Sequence, residues 1–155
     1  MSKDRIHQYR AHCTWEGDTA LGYEKYVRAH RVSVPPAESP LSLSSDPAFR
    51  GDAKLMNPEQ LLVASASSCQ LLSFLAVAAR AGISVRRYED DAEGEMPEDQ
   101  KPIRITRIVL RPRIEVAKGP TSDRVRDAVR QAHEECYVAS SLRTEVSVEP
   151  TIVFV

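Results

Sequence analysis

The chain has 155 residues, 21 Lys and Arg against 22 Asp and Glu, a net charge of -1, and three cysteines. A chain of this length reads as one domain, 1–155, able to bury a core without disulfides or metal. The near-neutral charge and lack of a long basic run exclude a phosphate-backbone footprint, and an odd cysteine count disfavours a permanent disulfide framework.

The first residues, MSKDRIHQYRAHCTWEGD, are too polar for a signal peptide. Arg80 closes the longest apolar run short of the ~20 residues of a membrane span, so a cytoplasmic location is expected. From about Ile6 to Val34, EGDTALG separates two strand-like stretches, which predicts two or three antiparallel strands joined by turns. VPPAESPLSLSSDPAFRGD is dense in Pro, Ser and Asp and reads as a long loop with a short strand at Leu41 to Leu43.

A helix follows with its punctuation in place: Asn57 as N-cap, Pro58 at the first position, Glu59 in the first turn, Arg80 in the last and Gly82 past the end. Its polar residues are mostly small serines, so it offers no broad charged face and is expected to be buried all round. ISVRRYEDDAEGEM and PIRITRIVLRPRIEVAKG read as strands, the second alternating from Ile103 to Arg111. TSDRVRDAVRQAHEEC is an amphipathic helix capped by Thr121 or Ser122, YVASS a turn or short helix, and Arg143 to Val155 a closing strand. The order is that of an α+β domain without repeats.

Each cysteine has a packing reading beside any chemical one, because free cysteine is among the most buried residue types. Cys69 sits mid-helix without help from an N-terminal dipole, so a reactive thiol there needs a cation from elsewhere. Cys136 follows the second helix and is open to the same two readings. Cys13, in a strand beside Trp15, reads as structural. His133 and Cys136 are spaced as H-x-x-C, but no second ligand pair exists and no metal is expected. No G-x-S-x-G elbow points to serine hydrolysis.

Asn57-Pro58-Glu59-Gln60-Leu61 precedes Cys69 by about ten residues, and Ala132-His133-Glu134-Glu135-Cys136-Tyr137-Val138-Ala139-Ser140 lies near the C-terminus. In these two stretches, and from Trp15-x-Gly17 to the closing strand, the chain resembles the osmotically inducible protein C and organic hydroperoxide resistance family. The resemblance implies antiparallel sheets wrapped around a buried central helix in an intertwined homodimer, and a thiol peroxidase acting on organic hydroperoxides in oxidative-stress defence. It makes Cys69 the peroxidatic and Cys136 the resolving cysteine. Glu59 and an arginine of YVRAHRV, Arg28 with Arg31 as its competitor, complete the site. No bound cofactor is implied; an external dithiol of the lipoyl type is the implied reductant. The loop with Arg50 and Asp52 resembles an OsmC-like branch rather than the hydroperoxide resistance enzymes.

Physical reasoning adds three expectations. A thiol of ordinary pKa is about 3 per cent ionised at pH 7, so complete ionisation gains only about thirty-fold in nucleophile. The arginine must therefore also stabilise charge on the departing alkoxide, with Glu59 orienting it and Leu62, Leu72 and Phe74 offering apolar wall. Glu59 and Cys69 lie ten residues apart, ~15 Å of helix rise, so the partner subunit is the natural source of one of them. Two other functions fit the same scaffold: a small-ligand-binding or sensing protein, and a Cys69-dependent acyl hydrolase or transferase.

Overall fold

The computed structural model describes residues 5–155, which fall into two compact units, one ending at Glu59 and one spanning Gln60–Val155. In the first, β1 (His12–Thr14), β2 (His30–Ser33) and β3 (Leu41–Leu43) form an antiparallel sheet in the order β1-β2-β3. Its register pairs Cys13 with Val32 and Arg31 with Ser42. The expected meander is present, with β3 where the sequence places it and β1 only three residues long.

Local side-chain bonds shape the connections. Asp18 accepts from the Ala20 amide at 2.8 Å and opens a 3-10 turn, Thr19–Leu21. Asp46 does the same for Pro47–Phe49 through the Ala48 amide, also at 2.8 Å. Ser44 is buried, and its Oγ accepts from the Asp52 amide at 3.1 Å, which folds the loop back on its own start. Gly51 is required by that closure, since a Cβ there would lie 1.5 Å from the Ser45 carbonyl oxygen.

Helix α1 runs Pro58–Arg80. It ends as expected: Gly82 takes the left-handed conformation (φ 67°) and the Ile83 amide donates back to Ala78 O at 2.9 Å, a closure few other residues permit. Ala66, Gln70, Phe74, Val77 and Ala78 make one buried face at helical spacing. The helix is not buried all round in the single chain: Leu72 and Leu75 are 63% and 41% exposed, because the rest of the chain covers only one of its faces. By length and composition α1 also suits a membrane span, contrary to the expectation that Arg80 cuts it short. Its buried face is nonetheless taken by protein, with Phe74 fully enclosed among residues of helix α2 (Ser122–Glu134) and tilted against the Tyr88 ring at 5.9 Å.

The strands of this unit are β4 (Val85–Asp90), β5 (Glu93–Glu95), β6 (Arg107–Leu110), β7 (Pro112–Val116), β8 (Glu145–Val148) and β9 (Thr151–Phe154). They make two three-stranded sheets, β4-β7-β9 and β5-β6-β8. The expectation of antiparallel sheets is corrected here: β6 pairs with β8, and β7 with β9, in parallel. Parallel pairing needs a long crossover, and α2 with the short α3 (Tyr137–Ser141) supplies it. The single strand read from Ile103 to Arg111 and beyond is two, broken at Arg111, whose amide donates to Asp90 Oδ1 at 2.7 Å. β6 lies at the centre of its sheet, so Ile108, Val109 and Leu110 are all buried instead of alternating. The closing strand divides in the same way between β8 and β9, at Glu149-Pro150.

Phe74 is the largest side chain enclosed by α1, α2 and β4. Phe74→Ala should destabilise the fold by about 3–5 kcal/mol, read as a lower denaturation midpoint with an unchanged slope.

Candidate functional site

The second unit brings Cys69 and Cys136 together. Cys69 is half-buried on α1, and Cys136 is 1% exposed at the junction of α2 and α3. Thr121 caps α2 by accepting from the Arg124 amide at 3.2 Å. At the other end of α2 the chain turns, and Cys136 becomes the N-cap of α3, its Sγ accepting from the Ala139 amide at 3.5 Å. Cys69 lies near enough to Cys136 to raise its thiol. Burial pushes the Cys136 thiol up, and the nearby Cys69, with the charge it carries when ionised, adds to this against the pull of the Ala139 and Val138 amides. Cys136 therefore holds its proton more firmly than an ordinary thiol.

The surroundings of this pair contain polar groups that spacing alone did not single out. Ser67, two residues before Cys69, donates to Asp90 Oδ2. Gln70 is 1% exposed and donates to Val129 O at 3.3 Å, leaving its Oε1 without a partner. The Tyr88 hydroxyl and His133 Nδ1 are also buried without partners. Phe74 belongs to the core and Leu72 is exposed, so the three apolar residues expected as a pocket wall do not form one together in this unit.

The first unit has its own pocket, of about 440 Å³, and Arg28 and Glu59 both line it. Arg28 is the half-buried arginine of YVRAHRV, whereas Arg31 is exposed on β2 and does not line the pocket. The Arg28 guanidinium lies over the Tyr26 ring at 3.9 Å and the Tyr23 ring at 4.8 Å. Its nitrogens donate to Tyr26 O at 2.9 Å and Tyr23 O at 2.6 Å. No ion pair joins it to Glu59 among the described residues; the two carbonyls and the stacked rings hold it instead. Trp15 adds an edge-on contact to Tyr26 at 6.3 Å and donates to Val27 O at 2.7 Å. The YEKY pair preceding Arg28 is the signal that sequence reasoning passed over.

Asp46 and Phe49 give the loop after β3 a wall of this pocket, and Asn57 ties the loop to the start of α1 through its Nδ2 bond to Asp46 Oδ2 at 3.3 Å. Cys13, expected to be structural, is exposed and lines the pocket as well. A fixed guanidinium, a carboxylate and aromatic walls around such a volume suit a small apolar molecule with one polar group.

Fold and site together define a class: an α+β protein with two neighbouring thiols, one on α1 and one at the α2–α3 junction, and an arginine-bearing pocket on an N-terminal sheet. The chain belongs to the OsmC-like protein family, whose profile matches residues 51–151. No curated protein matches it. Among solved structures it is similar to an OsmC-like protein of unknown function from Vibrio cholerae, at 29% identity and TM-score 0.86 over 94% of this chain and 100% of that one. It also shares its fold with an organic hydroperoxide resistance protein from Elizabethkingia anophelis, at 17% identity and TM-score 0.73 over 99% and 100%. A third, the organic hydroperoxide resistance protein OhrB of Bacillus subtilis, has 17% identity and TM-score 0.61 over 95% and 98%.

Proposed function

We propose that the protein is a thiol-dependent peroxidase that reduces organic hydroperoxides in the cytoplasm, in defence against oxidative stress. The observation that carries this reading is the nearness of Cys69 on α1 to the buried Cys136 at the α2–α3 junction. The Cys69 thiolate attacks the outer oxygen of the hydroperoxide, the O–O bond breaks, and Cys69 becomes a sulfenic acid while the alkoxide takes a proton and leaves as the alcohol. Cys136 then attacks the Cys69 sulfur, forming a disulfide and releasing water. An external dithiol, lipoyl-type by family resemblance, reduces that disulfide and becomes a disulfide itself.

Arg28 and Glu59 serve the reaction in a homodimer. Glu59, in the first turn of α1, cannot accompany the Cys69 of its own chain, since the two are ~15 Å apart along a continuous helix, and Arg28 lines the same pocket as Glu59. Two antiparallel α1 helices about a two-fold axis bring Glu59 of one chain to Cys69 of the other, and cover Leu72 and Leu75. The guanidinium then stabilises the departing alkoxide.

Intact mass tests the two thiol roles. One equivalent of cumene hydroperoxide should remove two hydrogens from the wild type, whereas Cys136→Ser should gain one oxygen and over-oxidise with excess. A wild type that also retains the added oxygen would remove Cys136 from the reaction. Because the Cys136 thiol is pushed up, its thiolate grows as pH rises from neutral, and disulfide formation should quicken in the same direction.

A further inference from the structure

Gln70 sits against the pattern of its surroundings. It is 1% exposed on the face of α1 that it shares with Ala66, Phe74, Val77 and Ala78, and it is the polar residue among them. Its Nε2 donates to Val129 O of α2 at 3.3 Å, and its Oε1 is buried without a partner. One neutral hydrogen bond returns less stability than a buried, unpaired acceptor costs, so an apolar side chain of the same length would suit the core better. Stability does not explain the amide.

An amide can fix the register of two packed helices where apolar contact cannot. The cluster shared by α1 and α2 joins Phe74, Val77 and Ala78 with Val125, Val129 and Ala132, and attraction between such groups has no preferred direction. A single polar residue in a helix interface specifies register at a cost in stability. Two further polar ties, Arg80 to Glu135 at 2.7 Å and Arg124 to Ala81 O, are made by exposed arginines at the surface, where such contacts hold weakly. The Gln70 bond is buried, and its two ends lie beside the thiols in the chain. Cys69 is the residue before Gln70; Val129 is about a turn and a half from the end of α2, and Glu135 and Cys136 follow directly.

We infer that Gln70 is a positioning residue for the thiol pair: its buried amide locks the Cys69 turn of α1 to the last turns of α2 and so sets the separation of the Cys69 and Cys136 sulfurs. This rests on the proposed peroxidase cycle, in which the two sulfurs bond to each other in every turnover. Sulfurs held at one separation meet at a high effective concentration, and sulfurs whose helices slide lose it.

Gln70→Met keeps the length of the side chain and removes both the bond and the unpaired oxygen. In a Cys13→Ser background, where Cys69 and Cys136 are the cysteines left, the pair is brought to equilibrium with glutathione disulfide: the two protein thiols give up their hydrogens and one glutathione disulfide becomes two glutathiones. Gln70→Met should lower that equilibrium constant about tenfold, a shift of about 30 mV in potential. The denaturation midpoint of the dithiol form should stay or rise, and Gln70→Leu should behave in the same way. An unchanged equilibrium constant overturns the inference. A lower dithiol midpoint in both variants also overturns it, because Gln70 would then serve the fold alone. A wild type that forms the disulfide with glutathione disulfide but not with cumene hydroperoxide would overturn the peroxidase reading instead, while the equilibrium constant still decides the role of Gln70; a wild type that forms it with neither overturns both.

Discussion

Cys69→Ser should abolish hydroperoxide consumption and leave the fold intact. Serine occupies nearly the same volume on α1, and its hydroxyl is a far weaker nucleophile than a thiolate at pH 7. The expected loss is to the rate of the dithiol alone, at least about a hundredfold, with circular dichroism and denaturation midpoint within the wild-type range. The reason for so large an effect is that no other group can take over the first step. Cys136 is buried and its thiol is pushed up. Wild-type turnover by the folded serine variant would reject the enzyme reading altogether.

The second large effect concerns the proposed sharing of the site between subunits. Cys69→Ser and Arg28→Ala homodimers should each be inactive, and when they are unfolded together and refolded at equal concentration, about half the dimers should be mixed. In a mixed dimer one site unites an intact Cys69 with an intact Arg28 and the other carries both lesions, so the mixture should recover about a quarter of wild-type activity. If each site were built within one chain, every site would keep a lesion and no activity would return. Arg31→Ala is the control. Arg31 is exposed and away from the Arg28–Glu59 pocket, so its homodimer should retain activity.

How far the sequence foretells these sites depends on the range of the interaction that builds them. The ends of α1 are legible because their causes are local: Pro58 and Glu59 suit a first turn, and Gly82 alone readily takes the left-handed exit. Leu41–Leu43 is legible for the same reason, three residues bounded by prolines and serines. The break at Arg111 is not, because its cause is the Arg111 amide bonding to Asp90 on another strand. Nor is the parallel pairing of β6 with β8 and β7 with β9, which the alternation of side chains leaves undetermined.

The candidate site divides along the same line. Cys69 and Cys136 stand out through the motifs around them, yet nothing in their spacing brings one near the other; the α2–α3 junction does that. Arg28 and Arg31 are indistinguishable as letters, and only the path of the chain before β2 turns Arg28 inward onto Tyr23 and Tyr26. Tyr88 and Gln70 gave no signal, because a tyrosine in a strand and a glutamine in a helix are ordinary until the Tyr88 hydroxyl and Gln70 Oε1 are found buried without partners.

The central claim is that Cys69 reduces organic hydroperoxides with electrons from a dithiol. Steady-state consumption of cumene hydroperoxide with a lipoyl-type dithiol, set beside hydrogen peroxide under the same conditions and against Cys69→Ser as background, tests it most directly. The account predicts turnover that depends on Cys69 and is faster with cumene hydroperoxide than with hydrogen peroxide. Consumption of both peroxides at the Cys69→Ser background rate would contradict it, and would leave the pocket lined by Arg28 and Glu59 as that of a binding protein.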